Sequence, residues 1–97
     1  MSRGLPIRIQ TRKLLFGLKS KRYVCDGERV TGVELQNRRD PRKTVVVHRS
    51  TKFAGKWQSS YLDHHGASSD TQRDSCTAAL DDLQPHEWRL RTVSKRR

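Results

Sequence analysis

The chain has 97 residues, 21 Lys or Arg against 10 Asp or Glu, and a formal net charge of +11. Its hydrophobic share of 32% lies well below the roughly 45–50% usual for globular chains, so it can bury only one modest core. No stretch approaches the roughly 20 apolar residues in a row that a membrane span needs, and one small domain, or a smaller one with loose ends, is expected of these residues.

The charge is uneven. Residues 1–50 carry 13 basic and 4 acidic side chains (+9), and residues 51–97 carry 8 and 6 (+2). Such a field attracts polyanions, and nucleic acid is the commonest one in a cell.

Taken in chain order, residues 1–22 read as a basic arm or edge strand. Ile7 and Ile9 alternate with Arg8 and Gln10, a strand pattern, whereas Thr11–Arg22 fits either an irregular helical turn or an arm. Leu14-Leu15-Phe16 is cut short by Gly17 and Lys19, too brief for the apolar stretch of a signal peptide. A cytoplasmic protein, with no membrane partner, is therefore expected. Cys25 and Cys76 match no metal spacing; one disulfide is conceivable, but two buried thiols in a reducing compartment are the expectation.

A single small domain is expected over 23–93. Asp26-Gly27 lies between Tyr23-Val24-Cys25 and Glu28-Arg29-Val30, predicting a hairpin turn with positive φ angles. Val33 and Leu35 continue a strand to Gln36. A basic loop, Arg38–Lys43, with an Asp-Pro turn signal leads to Val45-Val46-Val47, a β-branched strand. Gly55–Asp63 alternates Trp57, Ser59 and Tyr61 against Gln58, Ser60 and Leu62, and His64-His65-Gly66 turns the chain.

Ser69 with Gln72 has capping-box spacing, and Cys76, Ala79, Leu80 and Leu83 form a stripe, predicting a helix over about 69–83 that ends at Pro85. Asp81 and Asp82 then sit at the wrong end for its dipole. A last strand runs over Glu87–Val93, with Ser94–Arg97 a basic tail. The expected fold is α+β: an antiparallel sheet of three to five strands, one helix on one face, and basic flexible termini.

The strongest candidate site is the Arg38, Arg39, Arg42 and Lys43 loop, because guanidinium forks suit phosphates and guanine edges. Arg8, Arg12 and Lys13 of the arm, with Arg49 and Lys56, complete the expected nucleic-acid contacts. Trp57 and Trp88 belong in the core of a domain so poor in Leu and Ile. The acidic run 63–87 should face away from a phosphate backbone, or pair with the protein's own arm.

Within residues 45–83, Val45-Val46-Val47, Gly55-Lys56-Trp57, Tyr61, the Asp63-His64-His65-Gly66 turn and Ala79-Leu80 resemble the three-stranded-sheet-plus-helix unit of tyrosine recombinase (integrase) N-termini, which is similar to AP2-type domains. The resemblance implies DNA binding by a sheet laid in the major groove. It departs from that pattern at Ser68-Ser69-Asp70, poor strand material, and in its few basic sheet residues (Arg49, Lys52, Lys56).

No P-loop, dinucleotide fingerprint, metal spacing or catalytic carboxylate pair occurs, so no cofactor or metal is expected. A non-enzymatic nucleic-acid binder, DNA ahead of RNA, is the leading expectation. The alternatives are a module docking an acidic protein surface or the ribosome, and a small ribonuclease using His64 or His65.

Overall fold

Val45-Val46-Val47 lies mid-sheet in this computed structural model, which describes residues 5–62 and 68–96. Seven strands and one helix follow the order β1 (Ile7–Lys13), β2 (Lys19–Cys25), β3 (Val30–Asn37), β4 (Thr44–Arg49), β5 (Trp57–Leu62), β6 (Ser68–Arg73), α1 (Cys76–Asp81) and β7 (Trp88–Lys95). β1 and β2 make a separate two-stranded ribbon, and the others form one sheet in the order β6-β5-β4-β3-β7. Every pairing is antiparallel. The fold is a small α+β domain, with the larger sheet at five strands. Among the described residues, no helix is long and apolar enough to cross a membrane.

Alternation decides the inner face. Val33, Leu35, Val45, Val47 and Trp57 are buried there and meet Cys76, Ala79 and Leu80 of α1, with Leu83 just beyond it. Fully burying a Leu or Val contributes about 1.5–3 kcal/mol, so these side chains hold the helix to the sheet. Trp57 and Trp88 are both in this core, as the composition required.

The helix is shorter than the spacing predicted. Ser68–Arg73 pairs along the whole of β5, from Leu62↔Ser68 to Trp57↔Arg73, so its backbone groups are spent on a sheet edge. The cap is Ser75, whose side chain accepts from the Ala78 N–H at 3.0 Å; Ser69 and Gln72 do not start the helix. The apolar stripe was read correctly because it lies on the inner side of the real helix and the turn after it. The conflict at the helix end also resolves. Asp81 accepts from Arg22 of β2 (Nη2 to Oδ2, 3.0 Å), and Asp82 pairs with Arg73 at 2.9 Å.

The Asp26-Gly27 hairpin is not formed. Among the described residues positive φ occurs at Phe16, Gly17 and Gly55, not at Gly27. Instead Asp26 makes an Asx-type turn: its side chain accepts from Glu28 N–H at 3.0 Å, and its carbonyl accepts from Arg29 and Val30. The turn carries the chain from the ribbon to the sheet, so β2 and β3 never pair. Gly27 is needed for space, since a Cβ there would lie 3.3 Å from Cζ2 of Trp57. The basic tail is also shorter than expected, because Ser94 and Lys95 continue β7 opposite Gly32 and Val30. The His64-His65-Gly66 turn lies outside the described residues.

Cys25 and Cys76 form a disulfide, Cα atoms 5.8 Å apart, where the sequence suggested two thiols. Spacing along the chain could not show that the end of β2 abuts the start of α1. Thr77 reinforces the junction, its hydroxyl accepting from Cys25 N–H at 3.1 Å and donating to Cys25 C=O at 3.2 Å. Tyr23 donates to the Trp88 carbonyl at 2.8 Å. The ribbon is thus stapled to the domain at its base.

Candidate nucleic-acid interface

The β1–β2 ribbon gathers the strongest positive charge. Its register places Lys13 opposite Lys19, Arg12 opposite Ser20 and Thr11 opposite Lys21. Residues 1–25 contain no Asp or Glu. Like charges facing each other across a strand pair are destabilising, so the distal ribbon carries unrelieved repulsion. Among the described residues, the ribbon cation that meets a carboxylate is Arg22, near the base, paired with Asp81. Arg8, Arg12, Lys13, Lys19 and Lys21 are exposed. The strand Ile7–Gln10 foreseen from alternation is here, and Thr11–Arg22 resolves as the rest of the hairpin, with one distorted 3-10 turn at Leu15–Gly17.

The hairpin closes through Leu15–Gly17, with Leu14 N–H donating to the Leu18 carbonyl at 2.7 Å. Phe16 (φ 66°) and Gly17 (φ 75°) both adopt left-handed backbone there.

The Arg38–Lys43 loop is a hairpin tip between β3 and β4, as the pattern implied, but it is tied to itself. Asn37 accepts from the backbone N–H groups of Arg39 and Asp40, each at 3.0 Å. Asp40 accepts from Arg42 Nε at 3.3 Å. Arg38 donates through Nε to the Pro85 carbonyl at 2.8 Å. Arg39 and Lys43 are exposed and keep their charge for a ligand.

Arg49 stacks over the Trp57 ring at 5.0 Å and donates to the Gly27 carbonyl at 2.9 Å. Lys56 hydrogen-bonds Asp74, and that ammonium holds the Asp74 carboxyl below the usual carboxylate range. Lys52 stands 4.0 Å from Asp70. The nine expected contacts therefore divide. All nine are exposed, but Arg38, Arg42, Arg49 and Lys56 also bond to groups of the protein itself. Asp70, Asp74, Asp81 and Asp82 pair with Lys52, Lys56, Arg22 of the arm and Arg73 respectively.

Strands β4, β5 and β6 followed by α1 form a three-stranded unit with a helix behind it. The face away from the helix holds Thr44, Val46 and His48, then Gln58, Ser60 and Leu62, then Asp70 and Gln72. Among the described residues of these strands, that face bears no Lys or Arg. It carries a polar chain instead: Gln72 donates to Gln58, Gln58 to Ser60, and His48 Nε2 lies 3.3 Å from Ser60 Oγ. His48 Nδ1 lies 2.8 Å from the Arg49 carbonyl, an acceptor, so Nδ1 carries a proton. His64 and His65 lie outside the described residues.

A cleft of about 450 Å³ opens between the ribbon and β7, with Ile7, Ile9, Tyr23 and Leu90 on its apolar wall and Arg8, Arg38 and Arg89 at its cationic rim. Arg89 donates to Gln36 at 2.8 Å.

The expected contacts omitted Lys19 and Lys21, and the apolar run Leu14-Leu15-Phe16 was weighed only as a signal-peptide stretch. The signal was present: an apolar block flanked by Arg12-Lys13 on one side and Lys19 and Lys21 on the other. No protein-family model matches this chain, and neither does any curated protein or solved structure.

Proposed function

We propose that the protein binds nucleic acid without transforming it, DNA ahead of RNA, and that the β1–β2 ribbon is its principal contact surface. The observation carrying this reading is the acid-free ribbon with Lys13 set opposite Lys19. A phosphate backbone relieves that repulsion, and a two-stranded ribbon is narrow enough for a major groove about 12 Å wide. Seven paired residues reach about 23 Å, enough to cross several base pairs. Arg39 and Lys43 add backbone contacts that position without reading sequence.

The integrase-like or AP2-like mode, a sheet laid in the groove, is not the mode we assign, because among the described residues the outer face of β4–β6 has no Lys or Arg of its own strands and only Lys52, from the β4–β5 loop, reaches its edge at Asp70. The cytoplasmic placement expected from the sequence also sits poorly with a disulfide, since such bonds persist mainly in oxidising compartments.

The test is duplex affinity against salt by fluorescence anisotropy. The five ribbon cations alone imply a slope of log affinity on log salt of about −4.5, and Arg39 and Lys43 steepen it further. Replacing Lys13 and Lys19 by Glu flattens the slope by about two contacts or more, and Arg39→Ala with Lys43→Ala flattens it less. A salt-independent affinity, or no binding to any duplex or strand at low salt, refutes the reading.

A further inference from the structure

The ribbon ends in apolar side chains that a phosphate contact does not use. Leu15 is 82% exposed, Phe16 98%, Leu18 63% and Leu14 49%. Soluble surfaces carry scattered exposed apolar residues, but a contiguous group at the end of a projecting element marks an interaction site. The turn holds Phe16 in left-handed backbone, where Gly or Asn would sit without steric cost. An aromatic side chain is kept at the apex although the backbone disfavours it.

Directly behind the apex stands a cationic collar. Lys13 and Lys19 form the last ribbon pair, Arg12 is in the next, and Lys21 is in the one after. At a strand rise of about 3.3 Å per residue, these charges lie within about 10 Å of the apolar tip. That spacing matches the boundary between acyl chains and headgroups, where interfacial elements bury an apolar surface about 5–10 Å deep and set their Lys and Arg against anionic lipids.

We propose that the β1–β2 ribbon docks on anionic lipid membranes, with Leu14, Leu15, Phe16 and Leu18 inserted among the acyl chains and Arg12, Lys13, Lys19 and Lys21 on the headgroup phosphates. Extent decides between a bilayer and a base stack. A wedge in a duplex separates one base step and accommodates one or two apolar side chains, whereas here four neighbouring apolar side chains share one turn. The proposal stands apart from the nucleic-acid reading, which employs the same cations but leaves the apolar apex idle.

The experiment is co-sedimentation with vesicles of phosphatidylcholine alone or mixed with phosphatidylglycerol, beside duplex binding of the same proteins. The wild type sediments with the anionic vesicles and much less with the neutral ones. The Leu15→Ser/Phe16→Ser double variant loses about tenfold or more of its vesicle partition and keeps its duplex affinity and salt slope. Lys13→Glu/Lys19→Glu loses vesicle partition as well, by about fivefold per charge. Unchanged circular dichroism and melting of the Ser variant show that the fold is intact, as expected for exposed side chains. Failure of the wild type to sediment with anionic vesicles overturns the proposal. So does a Ser variant that partitions like the wild type, or one that loses duplex binding while vesicle partition is unchanged. Loss of duplex binding in the wild type, with vesicle binding intact, refutes the nucleic-acid reading alone.

Discussion

Consider the Cys25–Cys76 disulfide under a reductant. The two cysteines are 51 positions apart, so the bond closes more than half of the chain into a loop. Chain-entropy reasoning assigns such a loop about 4 kcal/mol at 25 °C. A domain of this size has only about 5–15 kcal/mol of net stability, so reduction removes a large part of the margin. With a urea slope of about 1–2 kcal/mol/M, the unfolding midpoint should fall by about 2–4 M. The Cys25→Ala/Cys76→Ala variant should fall at least as far, because it also loses packing at two buried sites. Trp57 and Trp88, both buried, report the transition through their fluorescence, with and without reductant. Thiol titration of the unfolded, unreduced protein should find no free thiol. Two reactive thiols in that sample, or an unmoved midpoint after mass spectrometry confirms reduction, would refute the reasoning.

Two further perturbations test the packing beside that bond. Gly27→Ala should destabilise by about 1–2 kcal/mol in a urea titration, because the new Cβ would lie 3.3 Å from the Trp57 ring and the ring must shift. Tyr61 has its pKa raised above the usual phenol value, first by burial and then by the Asp82 carboxylate, with Arg73 opposing. A raised folded pKa leaves stability intact below the unfolded value near 10 and removes it as pH climbs through the folded one. Melting temperature should therefore fall above about pH 10, and Tyr61→Phe should remove that step; an identical alkaline profile for the variant would exclude Tyr61 as the cause.

Much of the fold was legible because its signals are local. Val45-Val46-Val47 has no stable alternative to a strand, and the alternation around Trp57 assigned inner and outer faces that the sheet keeps. The stripe of Cys76, Ala79, Leu80 and Leu83 identified the covering helix. Its start was misplaced because Ser69 and Gln72 satisfy a capping pattern whose backbone was instead captured by the β5 edge. Such capture depends on a strand many bonds away in the fold, and propensity is a weak prior against it. Asp26-Gly27 misled for a related reason: the glycine answers to the Trp57 ring, not to a hairpin turn.

The acid-free start of the chain was plain in the sequence, and so was the partner class its charge suggests. Which cations remain available was not. Coulomb pairing depends on distances of a few ångströms, and only the folded chain sets Arg22 against Asp81 and Lys56 against Asp74. The same folding turns residues 7–25 into a ribbon, lifts Phe16 to its apex and brings Cys25 to Cys76. Composition determined the sign of the charge and the modest size of the core. Tertiary structure decided where that charge is left uncancelled, because cancellation is a matter of contact, and contact is not written in sequence order.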